Sequence, residues 1–222
     1  MISDRVIEQS TTNINLWELV LPQQRVIAVI RSPELTIGLG MAEAVAAGGM
    51  RLIEVTWNSH QPSELISQLR ARLPHCLIGA GTILNNSQLQ QAIACGAQFL
   101  FSPHCDPNLI QNAIAQEIPF IPGAFSPTEI VQAWQSGATA IKVFPIQNLG
   151  GANYIKNLQG PLSQIPLIPT GGVTIDNAPS MLSAGAIAVG LSSNLFLPAL
   201  VREQNWQAIT HRTQSLMATI TV

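Results

Sequence analysis

The chain has 222 residues, of which 47 % are hydrophobic and 10 % are charged, and its formal net charge is −2. This balance excludes a disordered chain, which needs low hydrophobicity and high net charge, and argues against a nucleic-acid-binding protein, which needs a basic surface. The low charge, against roughly 25 % in an average globular protein, favours a homo-oligomer, and no run approaches the ~18 apolar residues of a membrane span.

Eight short apolar runs predict eight strands. Each run is almost continuously hydrophobic, which is typical of a parallel strand that is buried on both faces. Successive runs start 20 to 26 residues apart, which leaves room for one helix in each interval. In chain order they are VIAVIR (26–31), RLIEVTW (51–57), LIGAGT (77–82), FLFSP (99–103), PFIPGA (119–124), AIKVFP (140–145), PLIPTGG (166–172) and AIAVG (186–190).

Helical patterns lie between these runs. The clearest, over 34–47, repeats apolar residues every three or four positions and stops at Gly48-Gly49, a common helix end. Ser126-Pro127 is a good start for a helix over 128–135, because serine caps a helix and proline fits its first position. The other predicted helices cover 14–21, 87–94, 178–184 and the tail 197–222.

Strands that alternate with helices at this spacing predict a single-domain α/β protein, a (β/α)8 barrel over residues 1–222. We expect the short helix in the N-terminal segment 1–25 to cap the bottom of the barrel, and the tail 197–222 to form a closing helix. The alternative is a doubly wound open sheet. The barrel is favoured because the strands are evenly spaced and no GxGxxG motif follows the first strand.

Two charged residues lie in the middle of predicted strands. Alternation along RLIEVTW and AIKVFP points Glu54 and Lys142 into the barrel, on its second and sixth strands. Even strands contribute to the same layers of side chains, so the two groups can share one small volume. Burial favours the neutral form of a lysine, and a neutral amine is a nucleophile toward carbonyl groups. The alternative is a structural ion pair between Glu54 and Lys142.

Three further candidates lie near the carboxyl ends of strands, where the active sites of such barrels form. Arg31 ends the first strand and is suited to a carboxylate or a phosphate, although a solvated arginine fits the same pattern. Thr82 ends the third strand and is expected to bond either a substrate oxygen or a loop amide. His104 follows the fourth strand, and we interpret it as solvated or structural rather than as a base.

Glycine-rich segments, PTGGV (169–173) and VGLSSN (189–194), close the seventh and eighth strands. Barrels often hold a phosphate on these two loops, at main-chain amides and a helix N-terminus. The predicted phosphate-binding residues are Gly171, Gly172, Gly190 and Ser192, with Ser193 as an alternative donor. Paired glycines are also common in ordinary turns, so a purely structural role is the alternative.

The cysteines favour a reducing, cytosol-like compartment, and the histidines give no sign of a metal site. Cys76, Cys95 and Cys105 form no CxxC pair, and the histidines lack ligand spacing. The first residues also lack the apolar stretch of a signal peptide. We therefore expect a cytoplasmic protein with reduced thiols and without a metal or another cofactor.

Seven segments, in their order and spacing, resemble the bacterial KDPG/KHG aldolases, which cleave 2-keto-3-deoxy-6-phosphogluconate and 4-hydroxy-2-oxoglutarate. They are GGMRLIEVTWNS, IGAGTIL, FLFSPHCDP, PFIPGAFSPTE, AIKVFP, PTGGV and VGLSSNLF. The similarity runs from about residue 26 to residue 196. It implies a (β/α)8 barrel, usually a homotrimer, that works without metal on phosphorylated 2-keto acids and pyruvate.

The resemblance also implies roles for individual residues. Lys142 would form the Schiff base with the substrate, and Glu54 would be the general acid/base. Thr170 would face the substrate, and the loops at 171–172 and 190–192 would hold its phosphate. The pyruvate pocket would be lined by Thr82, Pro103 and Phe144.

One position departs from the gluconate-type pattern. Those enzymes usually carry a carboxylate-binding arginine after the glutamate, where this chain has Asn58. The related 6-phosphogalactonate aldolases have Asn-Ser there and an arginine at the end of the first strand, which matches Asn58-Ser59 and Arg31. The resemblance therefore assigns the substrate carboxylate to Arg31 and leaves both C4 epimers open. The alternative functions are another phosphate-binding barrel isomerase or synthase, and a non-catalytic ligand-sensing barrel.

Overall fold

The computed structural model describes residues 12–220. The first eleven residues of the predicted cap segment 1–25 and the last two residues of the predicted tail 197–222 therefore lie outside the described residues. Within the described range, short parallel strands form a central barrel with helices around it. No helix in this range is long and apolar enough to cross a membrane.

The strands close into one ring. They are β1 (Val26–Ile30), β2 (Leu52–Thr56), β3 (Leu77–Gly81), β4 (Leu100–Phe101), β5 (Phe120–Ile121), β6 (Gly123–Ala124), β7 (Ile141–Val143), β8 (Leu167–Pro169) and β9 (Val189–Leu191). One ladder has the order β5-β4-β3-β2-β1-β9 and the other β6-β7-β8. Only Pro122, which has no N–H to donate, separates β5 from β6, so these are two halves of the fifth barrel strand. A bridge between Thr170 and Gly190 joins β8 to β9, and the predicted (β/α)8 barrel is confirmed.

Ten α-helices are described, and those that match the predicted helices over 14–21, 34–47, 87–94, 128–135 and 178–184 begin and end close to the predicted positions. They are α1 (Asn13–Gln24), α2 (Leu35–Ala47), α3 (Pro62–Arg72), α4 (Asn86–Ala94), α5 (Pro107–Ile114), α6 (Pro127–Gln135), α7 (Ala152–Leu162), α8 (Ala178–Ser183), α9 (Pro198–Arg202) and α10 (Trp206–Ile220). A 3-10 helix, Ile146–Leu149, follows β7. At α6 the predicted cap is confirmed, because the Ser126 hydroxyl accepts the Glu129 N–H and the Glu129 carboxylate accepts the Ser126 N–H.

The predicted closing helix over 197–222 is wrong in one respect, since the tail forms two helices. α9 ends at Arg202, and α10 begins only at Trp206. Between them Gln204 has a φ of +50°, in the left-handed region that interrupts a right-handed helix. The longer helix, α10, then packs against α2.

The lower half of the barrel interior is filled by apolar side chains. Trp17, on α1, is 2 % exposed, and its ring centre lies 5.1 Å from that of Phe99 and 6.2 Å from that of Phe101. Gly79 makes room for this cluster, because a Cβ there would overlap the Phe99 ring. The N-terminal helix therefore packs against the barrel interior through Trp17 and its neighbours, which supports the prediction that it caps the bottom of the barrel.

We predict that Trp17→Ala lowers the free energy of unfolding by about 3–5 kcal/mol, because it removes a large buried ring and leaves a cavity. Urea unfolding followed by circular dichroism measures the change. Glu18→Ala, at the neighbouring exposed position of α1, is the control and should change stability by less than about 0.5 kcal/mol. Equal effects of the two substitutions would contradict a packing role for Trp17.

Candidate active site

Glu54 lies inside the barrel, in the middle of β2. Its neighbours Ile53 and Val55 pack outward among the helices, which confirms the predicted alternation of this strand. The Glu54 side chain is 1 % exposed, and its Oε1 atom is buried without a hydrogen-bond partner among residues 12–220. Gly81 provides the space for it, since a Cβ there would overlap Oε1. A buried acceptor of this kind is suited to a proton donor on a substrate.

Lys142 lies inside the barrel, in the middle of β7, and is 5 % exposed. Its main-chain N–H donates to the carbonyl of Pro122 at 2.9 Å, which ties β7 to the fifth barrel strand. Its Nζ atom lies 5.6 Å from the ring centre of Phe101 and 5.1 Å from that of Phe144. The two rings surround the amine with apolar surface and help to keep water away from it.

Glu54 and Lys142 share this interior without forming a contact ion pair. In the part of the chain that the structure describes, the one salt bridge joins Arg72 to Glu43 at 3.0 Å on the surface. The structural ion pair that the sequence left open is therefore not formed.

The Glu54 carboxyl has a raised pKa. Burial raises it by penalising the carboxylate, and the nearby charges of Lys142 and Arg31 oppose this effect. The carboxyl can thus hold its proton at a higher pH than an ordinary glutamate does. This property suits a group that donates a proton in one step and accepts one in another.

Arg31 follows β1 at the open end of the barrel, and its side chain is exposed. Its Nε donates to Asn58 Oδ1 at 3.3 Å, which orients the guanidinium. A cavity of about 590 Å³ places Arg31 beside Ser192 and Ser193, on the loop after β9. Arg31 therefore lies next to the loop after β9 and close enough to Glu54 for its charge to act on that carboxyl.

Thr170 and Phe144 lie above Lys142, at the open ends of β8 and β7. Thr170 is 7 % exposed, and its Oγ1 atom is buried without a hydrogen-bond partner in the described range. Gly190 allows this packing, because a Cβ there would lie 2.6 Å from Thr170 Oγ1. Gly171 has a φ of +83°, and its Cα faces the Phe144 ring, which a Cβ would approach to 2.9 Å. The fold thus brings these four predicted residues together.

Thr82 and Pro103 follow β3 and β4 on the same side of the barrel. Thr82 has a φ of +60°, a conformation that is rare for a β-branched residue and that is often found at functional sites. Pro103 is half-buried, and Gly123 packs against its main chain, where a Cβ would overlap the Pro103 carbonyl. His104 is exposed, and its Nδ1 lies 2.9 Å from Ser102 Oγ. Across residues 12–220, no group of three or more His, Cys, Asp or Glu side chains is placed to hold a metal ion.

The loops after β8 and β9 meet around a second cavity, of about 560 Å³. Gly172, Thr174 and Asn177 line it from the first loop, and Ser193 and Asn194 line it from the second. Gly172 has a φ of +88°, which a residue with a side chain rarely adopts. Of the predicted phosphate residues, Gly172 lines this cavity, Gly171 and Ser192 lie on the two loops, and Gly190 lies within β9.

Three contributors to this site were missed in the sequence. Gly81 makes space for Glu54, Phe101 packs beside Lys142, and Asn194 links the two loops by accepting the Ile175 N–H at 2.9 Å. The alternate glycines of IGAGT are a signal for close packing inside a barrel and could have identified Gly81. No local pattern marks Phe101 or Asn194, because their partners are distant in sequence.

Comparison with known proteins identifies the family. The sequence model of the KDPG and KHG aldolases matches residues 18–212. The chain belongs to this family. The match confirms the resemblance carried by the seven segments and makes the protein an enzyme of the lyase kind.

Relatives in this aldolase family are similar over most of the chain. The 2-dehydro-3-deoxy-phosphogluconate aldolase of Treponema pallidum is 36 % identical over 164 residues, which are 74 % of this chain and 78 % of the relative. The KDPG aldolase of Legionella pneumophila, solved with pyruvate captured as a covalent carbinolamine, is 31 % identical with a TM-score of 0.84 and coverages of 93 % and 98 %. A structure of native KDPGal is 29 % identical with a TM-score of 0.79 and coverages of 89 % and 96 %.

We predict that Glu54→Gln gains stability relative to wild type as pH rises. A raised pKa in the folded state means that wild-type stability is full below the ordinary pKa of glutamate and falls as pH rises through the folded pKa. Glutamine does not titrate, and each tenfold change in the acidity of the carboxyl on folding corresponds to about 1.4 kcal/mol. Urea unfolding between pH 4 and 9 (roughly the range that brackets these values) measures the difference.

The matched control is Glu18→Gln, which removes a carboxyl from an exposed position. A difference between Glu54→Gln and wild type that stays constant over this pH range would contradict a raised pKa for Glu54.

Proposed function

We propose that the protein is a class I, Schiff-base aldolase that cleaves 2-keto-3-deoxy-6-phosphogluconate, or its galactonate epimer, to pyruvate and glyceraldehyde 3-phosphate. Cleavage of 4-hydroxy-2-oxoglutarate to pyruvate and glyoxylate would use the same site. The observation that carries this proposal is that Lys142 and Glu54 are buried in one barrel interior without an ion pair. The covalent carbinolamine of the Legionella pneumophila enzyme supports it.

The first half of the proposed reaction forms the imine. The Lys142 amine attacks the C2 ketone of the substrate to give a carbinolamine. The Glu54 carboxyl, whose raised pKa favours its protonated form, gives a proton to the leaving hydroxyl, and water departs. The product is a protonated imine, which can take up an electron pair.

The second half breaks the carbon–carbon bond. The Glu54 carboxylate removes the proton of the C4 hydroxyl, the C3–C4 bond breaks, and its electron pair moves into the imine to give an enamine. The aldehyde product, which still carries the phosphate group of the substrate, then leaves. Glu54 then returns its proton to C3, water adds to the new imine, and hydrolysis releases pyruvate and the free amine of Lys142.

Recognition of the two ends of the substrate is assigned to the loops. Arg31, whose Nε donates to Asn58, would bind the carboxylate through its remaining N–H groups. Thr82, Pro103, Phe144 and Thr170 would line the pyruvate half, and the two glycine loops would hold the phosphate. Binding energy from the phosphate would then orient the scissile bond between Lys142 and Glu54.

We also propose that the protein acts in the cytoplasm as a homotrimer, without a metal or another cofactor. Three large apolar side chains that are 44–48 % exposed in the single chain support association; they are Leu84, Ile114 and Phe125. All three cysteines are free, which suits a reducing compartment.

Borohydride reduction in the presence of pyruvate tests the proposed mechanism. We predict that it adds one reduced pyruvate to the protein and that peptide mass spectrometry finds it on Lys142. Lys142→Met should abolish the label and lower cleavage activity by at least roughly a thousandfold, since the covalent route is lost.

Lys156→Met is the matched control, because Lys156 is the second of the two lysines in the sequence and is exposed. It should label and cleave as wild type does. A wild-type protein that binds phosphorylated ligands but does not label would favour an isomerase or synthase of the same fold, and a label on Lys156 would contradict the assignment of Lys142.

We predict that Arg31→Ala raises the KM for pyruvate in the condensation direction by roughly tenfold to a hundredfold, because a charge-assisted bond to the carboxylate is lost. Initial rates at varied pyruvate concentration measure it. Arg202→Ala is the control, since Arg202 lines the same cavity as Arg31 but lies on α9. An unchanged KM in Arg31→Ala would mean that Arg31 is simply solvated.

A further inference from the structure

Arg212, on α10, reaches from the closing helix to the loop after β9. Its Nη2 donates to the main-chain carbonyl of Asn194 at 2.7 Å. The residue is half-buried, and its Nε is buried without a hydrogen-bond partner among the described residues. No carboxylate forms a salt bridge with it in that range, where the one salt bridge joins Arg72 to Glu43. A partly buried cation therefore lies behind this loop without a counter-charge.

Asn194 links the contact with Arg212 to the second predicted phosphate loop, the one that follows β8. Its Oδ1 accepts the Ile175 N–H at 2.9 Å, from the loop after β8. That loop is held together by Asn177, whose Nδ2 donates to the carbonyl of Gly172 at 3.1 Å and whose Oδ1 accepts the Thr174 N–H at 2.7 Å. One chain of hydrogen bonds therefore runs from Arg212 through Asn194 to the segment that contains Gly172.

The positive charge of Arg212 would also favour binding of an anionic ligand such as phosphate. Leaving a buried guanidinium N–H without a partner is costly, and burying a cation without an anion is costlier still. Such a cost is tolerated more easily where a bound anion completes the electrostatics. The same Asn194 lines the cavity that lies between Gly172 and Ser193, so a phosphate held on the two loops would bind close to this cation.

We propose that Arg212 is a positioning residue for the phosphate end of the substrate. It fixes the loop after β9 through Asn194, fixes the loop after β8 through the Asn194–Ile175 bond, and supplies positive charge behind both. The inference rests on the proposed aldolase function and names how that site selects phosphorylated over unphosphorylated keto acids. Arg212 does not touch the reacting atoms.

The test compares a phosphorylated and an unphosphorylated substrate in Arg212→Met and Arg212→Lys. For Arg212→Met we expect the KM for 2-keto-3-deoxy-6-phosphogluconate to rise roughly tenfold, as the loss of one charge-assisted hydrogen bond implies. The KM for pyruvate in the exchange of its methyl protons with deuterated water, and the rate of labelling by pyruvate and borohydride, should stay within about twofold of wild type. Arg212→Lys keeps the charge and should recover part of the loss.

A second readout does not depend on aldolase activity. Inorganic phosphate should bind wild type, measured by isothermal titration calorimetry, and should bind Arg212→Met roughly tenfold more weakly. Arg25→Met is the matched control, because Arg25 also donates a guanidinium N–H to a main-chain carbonyl, that of Ala186 at 3.5 Å, before β9 begins. It should leave phosphate binding unchanged.

The outcomes separate the two proposals. Equal losses with phosphorylated and unphosphorylated ligands in Arg212→Met, or equal losses of phosphate binding in Arg25→Met and Arg212→Met, would show a general structural role and overturn the inference. Absence of phosphate binding to wild type would also overturn it. Failure of pyruvate to label Lys142 would instead count against the aldolase mechanism, while phosphate binding would still test Arg212.

Discussion

The structure depends on keeping a carboxyl and an amine inside one barrel without letting them neutralise each other in a contact ion pair. Burying either charge alone costs several kcal/mol, and a close pair would recover part of that cost while making both groups less reactive. Strands hold the two apart, because Glu54 and Lys142 each project from the middle of a paired strand. Gly81 on one side and the rings of Phe101 and Phe144 on the other define where each group lies.

Apolar packing closes the lower end of the barrel, so the interior around Glu54 and Lys142 is open only at the carboxyl ends of the strands. Trp17, Phe99 and Phe101 fill the lower interior, and Phe101 also forms the surface against which the Lys142 amine lies. The N-terminal helix therefore contributes to the site indirectly, because its Trp17 packs against the aromatic cluster that supports Phe101. In the proposed reaction a substrate would reach the amine from the carboxyl ends of the strands, where the loops lie.

Sequence patterns predicted the strands, most helix starts and the inward direction of Glu54 and Lys142, because alternation and capping are local properties. They did not predict the break at Gln204, the interruption of the fifth strand at Pro122, or the space that Gly81 provides. Each of these depends on how a residue meets a distant neighbour or on a main-chain conformation that several residue types can adopt. Local patterns also pointed to a nucleophilic Lys142, an anion-binding Arg31 and two phosphate loops, whereas the Schiff-base and acid/base roles and the pyruvate pocket came from the family resemblance; all of these roles remain predictions.

The proposed reacting groups and the proposed recognition groups are held in different ways. Glu54 and Lys142 are fixed by main-chain pairing within the barrel, whereas Arg31 and the loop at Asn194 are fixed by single side-chain hydrogen bonds, to Asn58 and from Arg212. A change in one of these bonds can alter which acid or phosphate binds without moving the amine or the carboxyl. Under the proposed mechanism the barrel would separate the chemistry on the strands from the specificity of the loops, so the loop contacts are where we expect substrate preference to be set.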